Sequence, residues 1–183
     1  MQGMTPQLAT EAAPAAPARR PSSSDDGSLE AWRAFIQTHA RLIHRLDEEL
    51  QAAHGLSLAE YDALLQLASA PDHRLRMSVL ADRVLLSRSG ITRLVDRLVS
   101  DGMVERSACP TDARGSMATI THLGVSRLRA ASRTHLEGVR RYFLDVIAPE
   151  DQAVIQHSLE RVTDGLAGQA FGRDSVCSGP AEA

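Results

Sequence analysis

No lysine occurs in the sequence, so all 20 of its Lys-or-Arg positions are arginines. Guanidinium forks suit phosphates and guanine edges, but so complete a bias reflects composition and carries no functional weight by itself. Aromatic residues are scarce at 3%, so a core must be built from Leu, Val, Ile and Ala. The 2 cysteines, Cys109 and Cys177, have nothing like metal-ligand spacing. A structural disulfide is therefore not expected, and a reducing compartment is. No apolar run reaches the roughly 18 to 20 residues that span a bilayer, and the N-terminus lacks the apolar stretch of a secretion signal. These absences point to a cytoplasmic protein with no membrane partner. Neither a Gly-rich phosphate loop nor a local nucleophile–base motif is present, so the chain is not expected to be an enzyme. His39 and His44 do not share a helical face as metal ligands, and neither a metal nor a cofactor is expected.

What is present is a chain of 183 residues with 43% apolar content, enough to bury the core of one domain with tails. A net charge of -3 argues, taken alone, against a nucleic-acid partner. Its distribution argues the other way. Between Asp72 and Arg141 there are 13 Arg against 7 acidic residues, whereas the rest of the chain holds 7 Arg against 16 acids.

Residues 1–27 have no helical or strand period and are expected to be a disordered tail. From Ser28, Leu29, Trp32, Ile36, His39, Ile43, Leu46 and Leu50 recur at alternating spacings of three and four, widened by Phe35 and Leu42. This predicts a long amphipathic helix over about 28–54 whose stripe needs a partner. Gly55 ends it, and Ser57 with Glu60 reads as a capping box for a second helix carrying Leu58, Tyr61, Leu64, Leu65 and Ala68 inward. An extended Arg74–Met77 precedes a short helix with Ser78 as its N-cap and Val79, Leu80 and Val84 as its inner residues. After a turn at Leu85 and Leu86, Ser87 caps a fourth helix with Ile91, Leu94, Val95 and Leu98 on its inner face. Two short strands, 103–108 and 116–121, flank a turn-rich tip at 109–115. Thr121 caps a fifth helix that includes His135, and Pro149 opens a sixth expected to bury Ile155, Leu159, Val162 and Leu166. The domain is thus expected to span 28–172, with helices at about 28–54 and 122–171 around a central part at about 57–121, and with 173–183 a flexible tail.

The order of short helix, tight turn, second helix and hairpin within Ser78–Thr121 is that of a winged helix-turn-helix. With the inner residues of the fourth helix subtracted, its outer face is Arg88, Ser89, Thr92, Arg93, Asp96 and Arg97. Short hydroxyl side chains mixed with arginines are what base-edge and phosphate contacts require, and Arg88 sits where helix N–H groups also favour phosphate. The competing reading is a solvated face. At the hairpin tip Arg114 can reach a minor groove, with Asp112 holding Arg114 or Arg97 in place. Alternatively, Asp112 simply bonds its own turn.

The run LADRVLLSRSGITRLVDRLVSDGMVER, followed by CPTDARG and Thr-x-x-Gly at Thr121–Gly124, resembles the MarR family of bacterial winged-helix regulators. The resemblance covers about Leu29 to Val162. It implies a mainly α fold with a small β wing: a winged helix-turn-helix plus a helical dimerisation layer formed by the N- and C-terminal helices. It also implies that Ser89, Thr92, Arg93 and Arg97 face the major groove of double-stranded DNA, with Asp112 and Arg114 at the wing. The implied function is a homodimeric, sequence-specific transcriptional regulator, a repressor relieved by a small aromatic or phenolic effector, reading a pseudo-palindromic operator. Trp32 could line the effector cleft or belong to the dimer seam. Alternatives are a winged-helix protein-interaction module, or a redox-sensing regulator using Cys109, although the family's redox cysteine generally belongs to the first helix, where this chain has none.

Overall fold

The computed structural model describes residues 23–109 and 112–167. Of the tail expected over 1–27, residues 1–22 lie outside them, whereas 23–27 are helical; the tail expected at 173–183, the side chains of Asp112 and Arg114 and the end of the domain at 172 also lie outside. Contacts divide the chain between Thr38 and His39. The first unit contains the beginning of α1 (Ser23–His54), which starts ahead of the apolar period at Ser28. Within it Leu29, Trp32, Phe35 and Ile36 are all exposed, and the Trp32 and Phe35 rings lie tilted with centroids 6.1 Å apart.

The second unit contains the rest of α1, then α2 (Leu58–Ser69), β1 (Arg74–Arg76), α3 (Met77–Arg83), α4 (Arg88–Ser100), β2 (Val104–Cys109), β3 (Asp112–Ile120), α5 (His122–Val139) and α6 (Pro149–Ala167). Gly55 closes α1 with a φ of 64°, a left-handed value that suits glycine. The Ser57–Glu60 capping box is present in full. Asp47 also accepts the Leu58 N–H at 2.7 Å, so α1 helps to fix where α2 begins. Beyond α2, a 3-10 turn (Pro71–His73) leads into β1.

The three strands form an antiparallel sheet in the order β1-β3-β2. Arg74, Leu75 and Arg76 pair with Thr119, Ala118 and Met117. Because β1 pairs up to Arg76, α3 begins at once, at Met77. Ser78 is therefore not its N-cap; Arg76 occupies that position without a side-chain cap bond. Ser87 does cap α4 by accepting the Gly90 N–H at 3.1 Å. Gly102, with a φ of 71°, turns the chain from α4 into β2. Thr121 accepts the Gly124 N–H at 3.0 Å to start α5. A Cβ on Gly124 would collide with the Met103 carbonyl and the Ile120 side chain, so glycine lets the first turn of α5 approach β2. A π-helical turn (Arg140–Leu144) follows α5, and the Gln152 amide caps the free Leu144 and Ile147 carbonyls at 2.9 and 2.7 Å.

Leu50, Leu56, Leu64, Leu67, Leu80, Ile91, Val95, Leu98 and Val104 are fully buried in one apolar cluster. The inner face of α4 is the expected one. That of α2 is rotated, with Glu60, Tyr61, Ala63, Leu64 and Leu67 buried and Leu65 exposed. Glu60 turns inward to complete its cap, and the small Ala63 lets the helix approach its neighbours on that side. Of the residues expected to be buried on α6, Leu159, Val162 and Leu166 are exposed among the described residues, Val162 at 59%, and Ile155 is half-buried. The α1 stripe is closed only at its end, where Leu46 and Leu50 are buried while Ile43 is exposed. Among the described residues, no helix is long and apolar enough to cross a membrane.

Candidate nucleic-acid interface

Four apolar side chains on the inner face of α4 anchor it in the core, which leaves its outer face to the surface. Arg88, Ser89 and Arg93 are exposed and Thr92 is half-buried. Neither Arg88 nor Arg93 has a side-chain partner among the described residues, so both guanidinium groups are available to an anion. The Ser87 and Ser89 hydroxyls lie 3.2 Å apart. Thr92 donates its hydroxyl to the Arg88 carbonyl at 2.8 Å, which fixes its rotamer and leaves the oxygen able to accept.

Arg97 is placed differently. Its Nε donates to Glu60 Oε1 at 2.9 Å, so its guanidinium is tied to α2. Glu60 is itself only 8% exposed, and its other oxygen accepts from the Ser57 N–H and hydroxyl, both at 2.9 Å. Burial alone would raise the Glu60 pKa, but the hydrogen bonds from the Ser57 backbone and from Arg97 outweigh it and hold the carboxyl below its ordinary value. The Ser57 cap, Glu60 and Arg97 thus form one charged link between the start of α2 and the last turn of α4.

Asp96, the one acid on the outer face, is neutralised by Arg106 from β2 at 2.6 Å. Arg106 also lines a cavity of about 350 Å³ together with Arg76, Ser78, Arg88, Thr92 and Ser116. Neither Arg76 nor Arg106 was among the expected contacts. Both belong to the basic block, which is the signal that could have found them. Asp112 and Arg114 have backbones within β3, and their side chains lie outside the described part. Cys109 is buried at the end of β2.

A larger cavity of about 640 Å³ is lined by residues of α1, α2 and α5, among them Ile43, Asp47, Tyr61, Asp62, Leu65 and His135. Trp32 belongs to the first unit and is exposed. The His135 ring lies 4.6 Å from that of Tyr61. Its Nδ1 is buried and has no hydrogen-bond partner among the described residues. Burial holds its pKa below the ordinary histidine value, against the opposing pull of Asp62. Among the described residues no cluster of His, Cys, Asp and Glu could hold a metal ion.

Comparison with known proteins agrees with this architecture. The sequence profile described as "MarR family" matches residues 54–115. The HTH-type transcriptional repressor YetL of Bacillus subtilis is 35% identical over 104 residues, which are 57% of this chain and 62% of YetL. The match therefore spans less than two thirds of that relative. The HTH-type transcriptional regulator MhqR of the same organism is 30% identical over 118 residues, 64% of this chain and 78% of MhqR. Among solved structures, Sco3205 from Streptomyces coelicolor, a MarR family transcriptional regulator in complex with DNA, superposes with a TM-score of 0.73 at 32% identity, covering 82% of this chain and 93% of that one. These relatives are regulators, not enzymes. The profile match centred on the winged unit, the MhqR alignment and the shared fold place this chain in the MarR family of transcriptional regulators.

Proposed function

We propose that the chain is a homodimeric, sequence-specific DNA-binding regulator acting in the cytoplasm as a repressor, relieved by a small aromatic or phenolic ligand. The observation that carries DNA binding is the outer face of α4, where Arg88 and Arg93 stand uncompensated beside Ser89 and Thr92 on a helix anchored by its other face. The DNA complex of Sco3205, at 32% identity, supports it. Ser89, Thr92 and Arg93 read base edges, Arg88 and Arg114 meet backbone or minor groove, and Asp112 orients the wing. Arg97 acts as a brace as much as a contact, because Glu60 already holds it. The exposed apolar residues of α1 and of α6 support a second copy as the missing partner, since faces of this kind mark protein contacts. A two-fold dimer reads half-sites about one helical turn, roughly 10 base pairs, apart.

The cavity beside Tyr61 and His135 is the proposed effector site. Asp47 and Asp62 on its wall favour an uncharged phenol over an aromatic anion, and the His135 and Tyr61 rings beside it supply aromatic surface. A ligand that fits the cavity better when the two recognition helices are out of step with the groove shifts the dimer away from DNA by that difference in affinity. Footprinting across the DNA flanking the gene tests the reading. Arg93→Ala should cost about 1–3 kcal/mol of specific binding and relax selectivity at one position per half-site. Unchanged affinity and selectivity would remove the outer face of α4 from the interface. No shift of that DNA at about 150 mM salt would favour a protein-interaction module instead.

A further inference from the structure

We propose that Glu60 is a positioning residue that couples the cavity of about 640 Å³ to the recognition helix: a displacement of the first turn of α2 at the cavity wall is felt in the last turn of α4 through the Glu60–Arg97 pair. The proposal rests on the DNA-binding and effector readings above and names the residues through which one site would act on the other. Leu58, Ala59, Tyr61 and Asp62, from the start of α2, line the cavity. Glu60, in the midst of that run, carries its carboxylate to Arg97 on α4 instead. Asp47 of α1 is itself a wall residue and accepts the Leu58 N–H at 2.7 Å. The start of α2 is therefore held between α1 at the wall and α4 behind it.

The bonds on the Glu60 carboxylate are unequal in what they cross. Those from the Ser57 N–H and hydroxyl lie within one cap and move with it. The bond from Arg97 Nε joins two helices at 2.9 Å. A helix shift of about 1 Å would carry that pair beyond hydrogen-bond range, and it would leave a buried carboxylate short of its charged partner. Apolar contacts between the same helices can slide by that amount, so the charged bond is the part of the contact that switches. Arg97, once released, is no longer fixed on the outer face of α4. By reciprocity, DNA that favours the held Arg97 also favours the undisplaced wall. A competing route runs through Val84, which lines the same cavity and ends α3 as its C-cap. It reaches α4 through the turn at Leu85 and Leu86 and does not need Glu60.

The test uses full-length protein and a lesion in the wall, Asp47→Ala, which removes the acceptor of the Leu58 N–H. In protein with isotope-labelled arginine, the Nε–H magnetic-resonance signal of Arg97, identified by its loss in Arg97→Lys, reports the bond to Glu60 without DNA. It should exchange slowly with water in wild type, and should shift and exchange faster in Asp47→Ala. Phenol, added to wild type as a probe and followed through the Tyr61 ring signals, should have the same effect on Arg97. An Arg97 signal that stays unchanged in Asp47→Ala, or while phenol occupies the cavity, overturns the proposal. Phenol that does not bind counts against the effector reading alone, because Asp47→Ala still decides the coupling.

Binding of a fragment of the gene's flanking DNA, under conditions where every variant is folded by circular dichroism, supplies the second readout. Asp47→Ala should weaken binding by about fivefold, the low end of coupling between sites. In a Glu60→Gln background the same lesion should change it by no more than the roughly twofold tolerated between independent positions. Equal losses in the two backgrounds would assign the coupling to the Val84 route and overturn the role of Glu60. Wild-type protein that does not bind the fragment rejects the DNA-binding reading, and the Arg97 signal then decides the link by itself.

Discussion

In the winged unit Leu64, Leu67, Leu80 and Leu98 are sealed from solvent, whereas on α6 Leu159, Val162 and Leu166 follow the same helical period and remain exposed. Both regions carry apolar stripes of comparable quality, so hydrophobic pattern alone does not decide which is buried. The difference lies in what each stripe can reach. α2 to α5 and the sheet meet one another through short connections and capped ends, and their stripes converge. The outer residues of α6 are left exposed among the described residues. At about 25 cal/mol per Å² of apolar surface, covering them and the α1 stripe is the main driving force left to the protein, and a second copy is the proposed partner.

The sharpest way to break this comparison is to charge the open region. Leu159→Glu with Val162→Glu should convert the protein to a monomer in sedimentation experiments and abolish any dependence of its melting temperature on protein concentration. Persistence of the dimer would move the interface off α6. Leu64→Ala, in the closed region, should cost about 2–5 kcal/mol in urea denaturation whatever the protein concentration. A cost that shrinks on dilution would mean that the two regions unfold as one.

The link between Glu60 and Arg97 tests how tightly the closed region holds the recognition helix. Glu60→Gln should cost about 1–2 kcal/mol, from a weakened cap and the lost charged bond. Because the folded carboxyl lies below its ordinary value near 4.5, its stabilisation is complete above that pH and is lost as the pH falls through the lower, folded value. The gap between wild type and Glu60→Gln should therefore be widest at neutral pH and close on acidification. A gap that does not change with pH would assign the loss to packing.

Local devices were legible in the sequence because their partners lie within a few residues. The Ser57–Glu60 box, the Ser87 and Thr121 caps and the inner face of α4 all depend on spacings of three or four. The second task of Glu60 was hidden because Arg97 is 37 residues away. The rotation of α2 was hidden because alanines can face either way until neighbours are in place. Arg106 meets Asp96 only once β2 is docked against α4, a contact across ten residues that no helical spacing encodes. Ser78 misled because a residue that caps well was read without knowing that pairing holds the chain extended up to Arg76.

The smallest effect lies in the turn between α3 and α4. Leu85 holds a left-handed φ of 56° and is 91% exposed. The shape of the turn is imposed by the Leu86 N–H bonding the Ala81 carbonyl at 2.9 Å, and the side chain gains no burial in return. A left-handed conformation costs a branched residue about 1–2 kcal/mol, while glycine gives back about 0.5–1 kcal/mol through unfolded-state entropy. Leu85→Gly should therefore stabilise the protein by about 0.5 kcal/mol, measured as a small rise in urea midpoint with unchanged slope. Leu85→Ala keeps the strain and should give no gain. This residue can also be weighed against α6, because both present apolar side chains to solvent. If Leu85 is merely strained, the gain should be the same at low and high protein concentration. A loss of stability that grows with concentration would place Leu85, like α6, under a second copy.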